Sequence, residues 1–388
     1  MIFSMMPAFN QRIRSALSAR EQQGLTRRLS VLKGGNQPQF ELDGRCYCNF
    51  SSNDYLGMAT EPELVTAWKD GLDRYGSGSG ASPLVTGFSP AHQMLEDVLC
   101  QWLGYDRAIL FNSGFSANQA LLFTLPDKQD LLLQDKLNHA SLMEAGMLSP
   151  APMQRFRHND VVHLETLLSQ PALVVTEGVF SMDGDTSPLA ELKNVCDRSA
   201  SWLMVDDAHG IGVLGHGGRG SCCVAGIKPQ LLIVTFGKGF GMSGAAVLCD
   251  SSTGDYLTQF ARHHVYSTAM PPAQAHALTT AAQMIRTQQW RRDHLAELQS
   301  VYAERLSGLH GYIATQTPIK PFICGSTEAA LTMAGALKAQ GFWATAIRPP
   351  TVAPGRSRIR ITLTAAHTRE QVTQLTTAIM QVMEKHYA

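Results

Sequence analysis

The sequence predicts an α/β protein built on a large, mainly parallel sheet, followed by a small C-terminal α+β unit. Three observations carry this expectation. Short aliphatic runs at 131–135, 173–176, 202–205 and 231–234 end in polar loops. Helical patterns lie between them at 91–103 and 189–199, the alternation that right-handed crossovers produce. Beyond about residue 285 the pattern changes to shorter strands and helices.

The chain has 388 residues and is 44% hydrophobic, enough for two sizeable cores. Lys+Arg and Asp+Glu both total 32, so no excess of positive charge points to nucleic acid or to an anionic membrane surface. The eight cysteines form no CxxC pair and no zinc-type spacing, which fits core thiols in a reducing compartment and no metal site. No basic residue precedes the short apolar start, and no later run approaches the ~18 apolar residues of a membrane span. A cytoplasmic protein acting on small molecules is expected, with Met5 and Met6 as alternatives to Met1 for the start.

Taken in order, residues 10–29 read as an amphipathic, arginine-bearing helical arm. Residues 40–47 read as a hairpin turning at Asp43-Gly44. The stretch Asn49-Phe-Ser-Ser-Asn-Asp-Tyr-Leu-Gly57 is rich in side chains that bond their own backbone, so irregular structure is expected. Gly76-Ser-Gly-Ser-Gly-Ala81 lacks the Lys-Ser/Thr of a P-loop and reads as a loop needing close backbone approach. After the strand 107–111, Ser113 is a candidate N-cap for a helix whose free N–H groups, at Gly114 and Phe115, suit a phosphate.

Residues 274–309 read as one long helical stretch. The unit beyond it is expected to contain strands at 318–324, 342–347 and 357–363, a helix at 326–340, and a final helix opened by a capping box, Thr368 with Gln371. The expected division is 1–48 (arm and hairpin), 49–284 (large α/β domain) and 285–388 (small domain).

The strand 231–234 ends in Thr235-Phe-Gly-Lys-Gly-Phe-Gly241. A partly buried lysine has a lowered pKa and can condense with a carbonyl, and glycines beside it admit a planar partner. A surface lysine in a glycine turn is the plain alternative. Asp206, His209, His139, Ser181, Thr235 and Lys238 all fall at carboxyl ends of expected strands, where such sheets gather their functional groups. An imine-forming lysine, an aspartate to keep a ring nitrogen protonated, a histidine for a phenolic oxygen and another to stack on the ring suit pyridoxal phosphate. Arg348, on a Pro-Pro turn, is a candidate carboxylate clamp.

At these residues the chain resembles the α-oxoamine synthases, pyridoxal-phosphate enzymes of the aspartate aminotransferase fold (fold type I). The resemblance runs from about residue 49 onward through Ser113-Gly-Phe-Ser-Ala-Asn118, Thr176-Glu-Gly-Val-Phe-Ser-Met-Asp183, Val205-Asp-Asp-Ala-His-Gly210, the Lys238 motif, Tyr266-Ser-Thr-Ala-Met-Pro271 and Ile347-Arg-Pro-Pro-Thr-Val352, together with the 49–57 stretch. It implies decarboxylative condensation of L-alanine with a pimeloyl thioester, carried on CoA or acyl carrier protein, with glycine or serine and another acyl-CoA as the runner-up pair. It further implies catalytic Lys238, His139, Asp206 and His209. Cofactor contacts would come from Gly114, Phe115, Ser181 and Thr235, and from Ser267 and Thr268 across a homodimer interface. Arg27 or Arg28, Asn53, Arg348 and Thr351 would contact substrate. Ala81-Ser82-Pro83 departs from relatives, which carry a further glycine and a non-proline residue there. Two rivals outside the family are a metal-dependent hydrolase on Asp206, Asp207, His209 and His139, which leaves Lys238 idle, and a binding protein that has lost its chemistry.

Overall fold

A computed structural model describes residues 7–27 and 29–387, with the side chains of 7, 8, 386 and 387 left aside. Arg28, Met5 and Met6 lie outside the described residues. The strands are β1 (Gln39–Leu42), β2 (Arg45–Asn49), β3 (Arg107–Phe111), β4 (Leu131–Asp135), β5 (Met153–Phe156), β6 (Ala172–Glu177), β7 (Trp202–Asp206), β8 (Leu231–Thr235), β9 (Ala245–Cys249), β10 (Ile319–Gly325), β11 (Phe342–Trp343), β12 (Thr345–Ile347) and β13 (Ser357–Thr362).

Seven of them form one sheet in the order β3-β9-β8-β7-β6-β4-β5. It is parallel from β5 to β8, and only the β9 pairings are antiparallel. Its strands are apolar on both faces because helices cover both. Along β8, Leu232 and Val234 enter one core while Leu231 and Ile233 enter the other; along β7, Leu203 and Val205 oppose Met204 in the same way. The parallel strands therefore end together along one edge, and their loops carry the polar residues.

The second unit packs β10, β13 and β12 as a three-stranded sheet under the helices Trp290–Leu306, Thr327–Ala339 and Arg369–Tyr387. The expected strand 342–347 is two strands in different sheets. β12 pairs with β13, whereas β11 runs parallel to β2 and completes a sheet with the hairpin β1-β2. The hairpin turns as expected through Asp43 and Gly44, at φ +52° and +72°, with Leu42 opposite Arg45. It is thus built into the C-terminal unit, not into a separate arm. The N-terminal helix, Pro7–Gln22, is shorter than expected, and the chain leaves it through Gly24 at φ +65°.

The long helix expected at 274–309 is two helices, Pro272–Thr287 and Trp290–Leu306, broken at 288–289. The first packs in the core of the large sheet and the second in the C-terminal core. Two buried arginines hold the break. Arg291 meets Glu61 Oε2 at 2.7 Å and the Leu56 carbonyl at 2.8 Å, and Arg292 donates to the carbonyl of Ile285 at 2.8 Å.

The capping box forms as expected: Thr368 N donates to Gln371 Oε1 at 2.9 Å and Gln371 N to Thr368 Oγ1 at 3.1 Å. Thr368→Ala is expected to cost about 1 kcal/mol of stability, read from urea denaturation, because one helix-start donor loses its acceptor.

A second contact outside the reacting groups supports the loops near the strand ends. His158 Nδ1 lies 3.0 Å from Asp135 Oδ1 at the end of β4, Nε2 lies 2.7 Å from Asp185 Oδ2, and its ring edge meets Phe180. Burial pulls the imidazole pKa down, but hydrogen bonds to both aspartates outweigh it and raise it to about 10. A group raised above its unfolded value stabilises fully below the unfolded pKa and loses that contribution as pH rises through the folded one. Wild-type stability should therefore fall between about pH 7 and 10 relative to His158→Gln, measured as the difference in urea midpoints.

Among the described residues, no helix is long and apolar enough to cross a membrane.

Candidate functional site

The end of β8 is a tight turn. Phe236 N bonds Gly244 O, Met242 N bonds Phe236 O and Gly241 N bonds Lys238 O, at 2.8–2.9 Å. Gly237 is exposed, and a Cβ built on it would meet nothing closer than 3.7 Å, so this glycine leaves room beside the lysine. The other two answer to the chain itself. A Cβ at Gly239 would lie 2.9 Å from Ile211 O, and one at Gly241 would lie 2.5 Å from Ala59 N. The lysine is thus held by packing from two neighbouring loops.

Lys238 Nζ makes no hydrogen bond or ion pair among the described residues. It faces a cavity of about 290 Å³ lined also by Asn53, His139, Glu177, Asp206, His209 and Thr235. Burial pushes the Lys238 pKa below its usual range, with the Asp206 and Glu177 carboxylates opposing and Arg360 reinforcing. A larger share of neutral amine, the form that attacks carbonyls, is the consequence.

Asp206 ends β7, in register with Glu177 on β6. Its Oδ1 accepts Ala208 N at 3.1 Å and its Oδ2 accepts Asn118 Nδ2 at 2.8 Å. The same Asn118 amide donates to Ser141 Oγ at 3.0 Å, and that hydroxyl lies 2.8 Å from His139 Nδ1. Because Ser141 N also donates to Nδ1, at 3.2 Å, His139 carries its proton on Nε2. Its backbone N–H is held by Glu177 Oε1. A buried relay therefore runs from carboxylate to imidazole, and the His139 ring stays exposed toward the cavity.

Tyr55 OH lies 2.5 Å from His209 Nδ1. Burial raises the phenol to about 12 and drives the imidazole well below its usual range, so a neutral phenol donates to a neutral ring. His209 is left with Nε2–H as the donor it can offer. Glu177 is pushed well above the carboxylic range by burial and then by the neighbouring Asp206 charge. Arg360 of β13 is buried and donates Nε to Ser181 O at 2.6 Å and Nη2 to Asn53 Oδ1 at 3.1 Å.

The other wall is the start of the helix Gly114–Thr124. Ser113 Oγ accepts Ser116 N at 3.1 Å as the expected N-cap, and the first intrahelical bond runs from Ala117 N to Ser113 O. The N–H groups of Gly114 and Phe115 precede that bond and are free for an anion. A Cβ at Gly114 would lie 2.6 Å from Thr235 Cγ2, so only glycine lets the helix start reach the end of β8. Thr235 Oγ1 and Asn118 Oδ1 are buried without a partner among the described residues. An unpaired hydroxyl beside two free N–H groups fits a phosphate. A free amine and a buried carboxylate across the same cavity fit an aldehyde-bearing pyridine, so the residues present suit the expected cofactor.

The structure brings Lys238, Asp206, His209, His139, Gly114, Phe115, Thr235 and Asn53 to one cavity. Others lie elsewhere. Ser181 and Thr351 line a neighbouring cavity of about 610 Å³, because the loop after β6 turns back through the Val179–Thr186 bridge. Arg348, expected on a carboxylate in the same pocket, instead donates to the Gly24 carbonyl, since its Pro-Pro turn faces the N-terminal segment. Arg27 is exposed in that segment. Ser267 and Thr268 lie outside the cavity, although Thr268 O holds Asn112 Nδ2 at 2.8 Å beside its mouth. The close approach expected at 76–81 is not made within the chain: a Cβ at Gly76, Gly78 or Gly80 would meet nothing within 4 Å.

Arg360, Tyr55 and Glu177 were not singled out from the sequence. For Arg360 the signal lies in the structure: all six residues of β13 are buried, two of them arginines, and a buried arginine needs a partner.

A family model for aminotransferase class I and II matches residues 46–379. A curated 8-amino-7-oxononanoate synthase of Vibrio atlanticus (strain LGP32) is 64% identical over 382 residues, covering 98% of this chain and 95% of that protein. Among solved structures, a serine palmitoyltransferase of Sphingomonas wittichii superposes with a TM-score of 0.89 at 27% identity, covering 98% of this chain and 98% of that one. An 8-amino-7-oxononanoate synthase from Francisella tularensis has a TM-score of 0.79 at 28% identity, covering 88% and 99%.

Proposed function

The chain belongs to the class I and II aminotransferase family, and from that premise we propose that it joins L-alanine to a pimeloyl thioester with loss of CO₂. The product is 8-amino-7-oxononanoate, for biotin biosynthesis, and the enzyme is a pyridoxal-phosphate acyltransferase like the relatives it resembles. The observation that carries the reading is the unpaired Lys238 amine sharing one cavity with the buried Asp206 carboxylate and the free helix start at Gly114.

When bound, pyridoxal phosphate supplies an electron sink for the pair left when a bond to the amino acid's α-carbon breaks. The chain's own groups do the rest. Gly114 N, Phe115 N and Thr235 Oγ1 would hold the phosphate. Asp206 would keep a proton on the ring nitrogen, and its own hydrogen bonds from Ala208 and Asn118 hold it in place. His209 would offer Nε2–H to the phenolic oxygen, and His139 would lie against the ring. Lys238 would hold the aldehyde carbon, and its amine, whose burial favours the neutral form, would take alanine's α-proton as a general base. Arg360, with Asn53 beside it, holds alanine's carboxylate in the place first expected of Arg348.

The working unit we propose is a cytoplasmic homodimer, with Ser267 and Thr268 serving the partner's phosphate; Thr268 is exposed and joined to the mouth of the cavity through Asn112. Arg27, Arg348 and Thr351 then serve the acyl substrate, whose thioester is carried on CoA or acyl carrier protein; of the three, Thr351 lines the neighbouring cavity.

The test is product formation. Purified protein with pyridoxal phosphate, L-alanine and pimeloyl-CoA is expected to release CoA thiol and give 8-amino-7-oxononanoate by mass spectrometry. Faster turnover of glycine or serine with another acyl-CoA would overturn the substrate assignment.

A further inference from the structure

We infer that Asp207, the neighbour of Asp206, is a positioning residue: clamped by Ser221 and enclosed by three glycines, its carboxylate fixes the turn from which His209 reaches the cofactor. The inference rests on the cofactor reading above.

Asp207 is fully buried, and its side chain faces away from the cavity that Asp206 lines. Oδ2 accepts Ser221 N at 2.8 Å and Oδ1 accepts Ser221 Oγ at 2.6 Å. Three backbones from separate segments close on this one carboxylate. A Cβ built at Gly178, after β6, would lie 2.2 Å from Oδ1; one at Gly210, after β7, 2.1 Å from Oδ1; and one at Gly220, before the helix Ser221–Val224, 1.9 Å from Oδ2. Any side chain at those places would displace the carboxylate or the backbone that holds it.

A buried carboxylate without a cationic partner is costly, and burial pushes this one up to about 7. An apolar side chain could fill the space. It could not accept two donors from the same residue, and that is the service Asp207 performs. Its backbone completes the fixture. Asp207 N donates to Ile233 O at 2.9 Å, extending the β7–β8 ladder, while Gly210 N and Ile211 N donate to Asp207 O at 3.1 and 2.9 Å. The turn bearing His209 is therefore closed at its base on Asp207, whose carboxylate Ser221 holds. The ring is then fixed from the opposite direction by Tyr55 OH at 2.5 Å. Loosening the base moves the donor that His209 offers without touching the groups that face it, Tyr55, Lys238, Arg360 and His139.

The test uses the holoenzyme, first without substrate and then in turnover. The pH midpoint of its visible absorption reports how the phenolic oxygen is held. Four variants are compared: His209→Asn, Ser221→Ala, the double variant, and Asp207→Asn, with Ser221→Ala guarding against unfolding because it removes only a hydroxyl. Ser221→Ala should shift the midpoint in the same direction as His209→Asn. It should also lower kcat on the order of tenfold while KM for L-alanine stays within about twofold. The double variant should be no worse than His209→Asn alone, since both act through one ring. A lowered melting temperature with an unmoved midpoint and additive losses would reduce Asp207 to a structural residue and overturn the inference. A wild type with no visible band at all would overturn the cofactor reading and this inference with it, so the two failures are told apart.

Discussion

Lys238→Ala is expected to abolish turnover, with kcat falling by about 10³-fold or more, since anchoring, exchange and proton transfer all pass through one amine. The fold should survive. The side chain is partly exposed, and among the described residues its amine makes no hydrogen bond or ion pair that the substitution would break. The cofactor should still bind, because the helix start at Gly114, the Thr235 hydroxyl and Asp206 are untouched, but it should no longer be covalently held. Borohydride reduction followed by peptide mass spectrometry separates the cases: wild type should carry the cofactor mass on the peptide containing Lys238, and the variant should carry none. Trapping of the wild-type cofactor on another lysine, or a variant within tenfold of wild-type kcat, would remove Lys238 from the centre of the account.

Asp206→Asn should have the next largest effect, a loss of kcat of about 10³-fold with cofactor still bound. Asparagine is the same size and can keep a bond to Asn118, but it carries no charge with which to retain a proton on the ring nitrogen. Asp206 is also the neighbour most responsible for the raised acid of Glu177, after burial itself. Removing its charge should let Glu177 titrate closer to the ordinary range, so the pH dependence of the visible band should move as well as the rate. A variant whose kcat and spectrum both stay near wild type would show that the ring nitrogen needs no carboxylate, and the assignment of Asp206 would fail.

The strands of the large sheet were legible because their aliphatic residues must satisfy helices on both faces, a pattern of continuous apolar runs that few other structures produce. Their carboxyl ends followed from the topology, which is why Lys238, Asp206, His209 and His139 could be grouped from the sequence. What the sequence hid was set by distant contacts. Nothing at Gln288 or Gln289 breaks a helix by itself; the break comes from Arg291 and Arg292 finding partners near residues 56–61 and 212. The split of 342–347 into β11 and β12 depends on the choice between β2 and β13 as partner, and no local pattern records that choice. Arg348 illustrates a third limit. Its stiff turn was readable, but the direction of the guanidinium depends on where the N-terminal segment lies. Arg360 was the opposite case, a buried strand arginine whose position in the fold alone reveals its use.

The sheet that joins β1 and β2 to β11 has a bearing on how the polypeptide is made. Ser51 Oγ meets Thr345 Oγ1 at 2.8 Å across a separation of 294 positions, and Phe50 is buried in the C-terminal core. A ribosome therefore releases nearly the whole large domain before the hairpin can find its third strand, and until then the hairpin is a two-stranded ribbon with an open edge, marginal by itself. Chains halted before residue 342 should carry that edge uncovered, ready to pair with other unfinished chains.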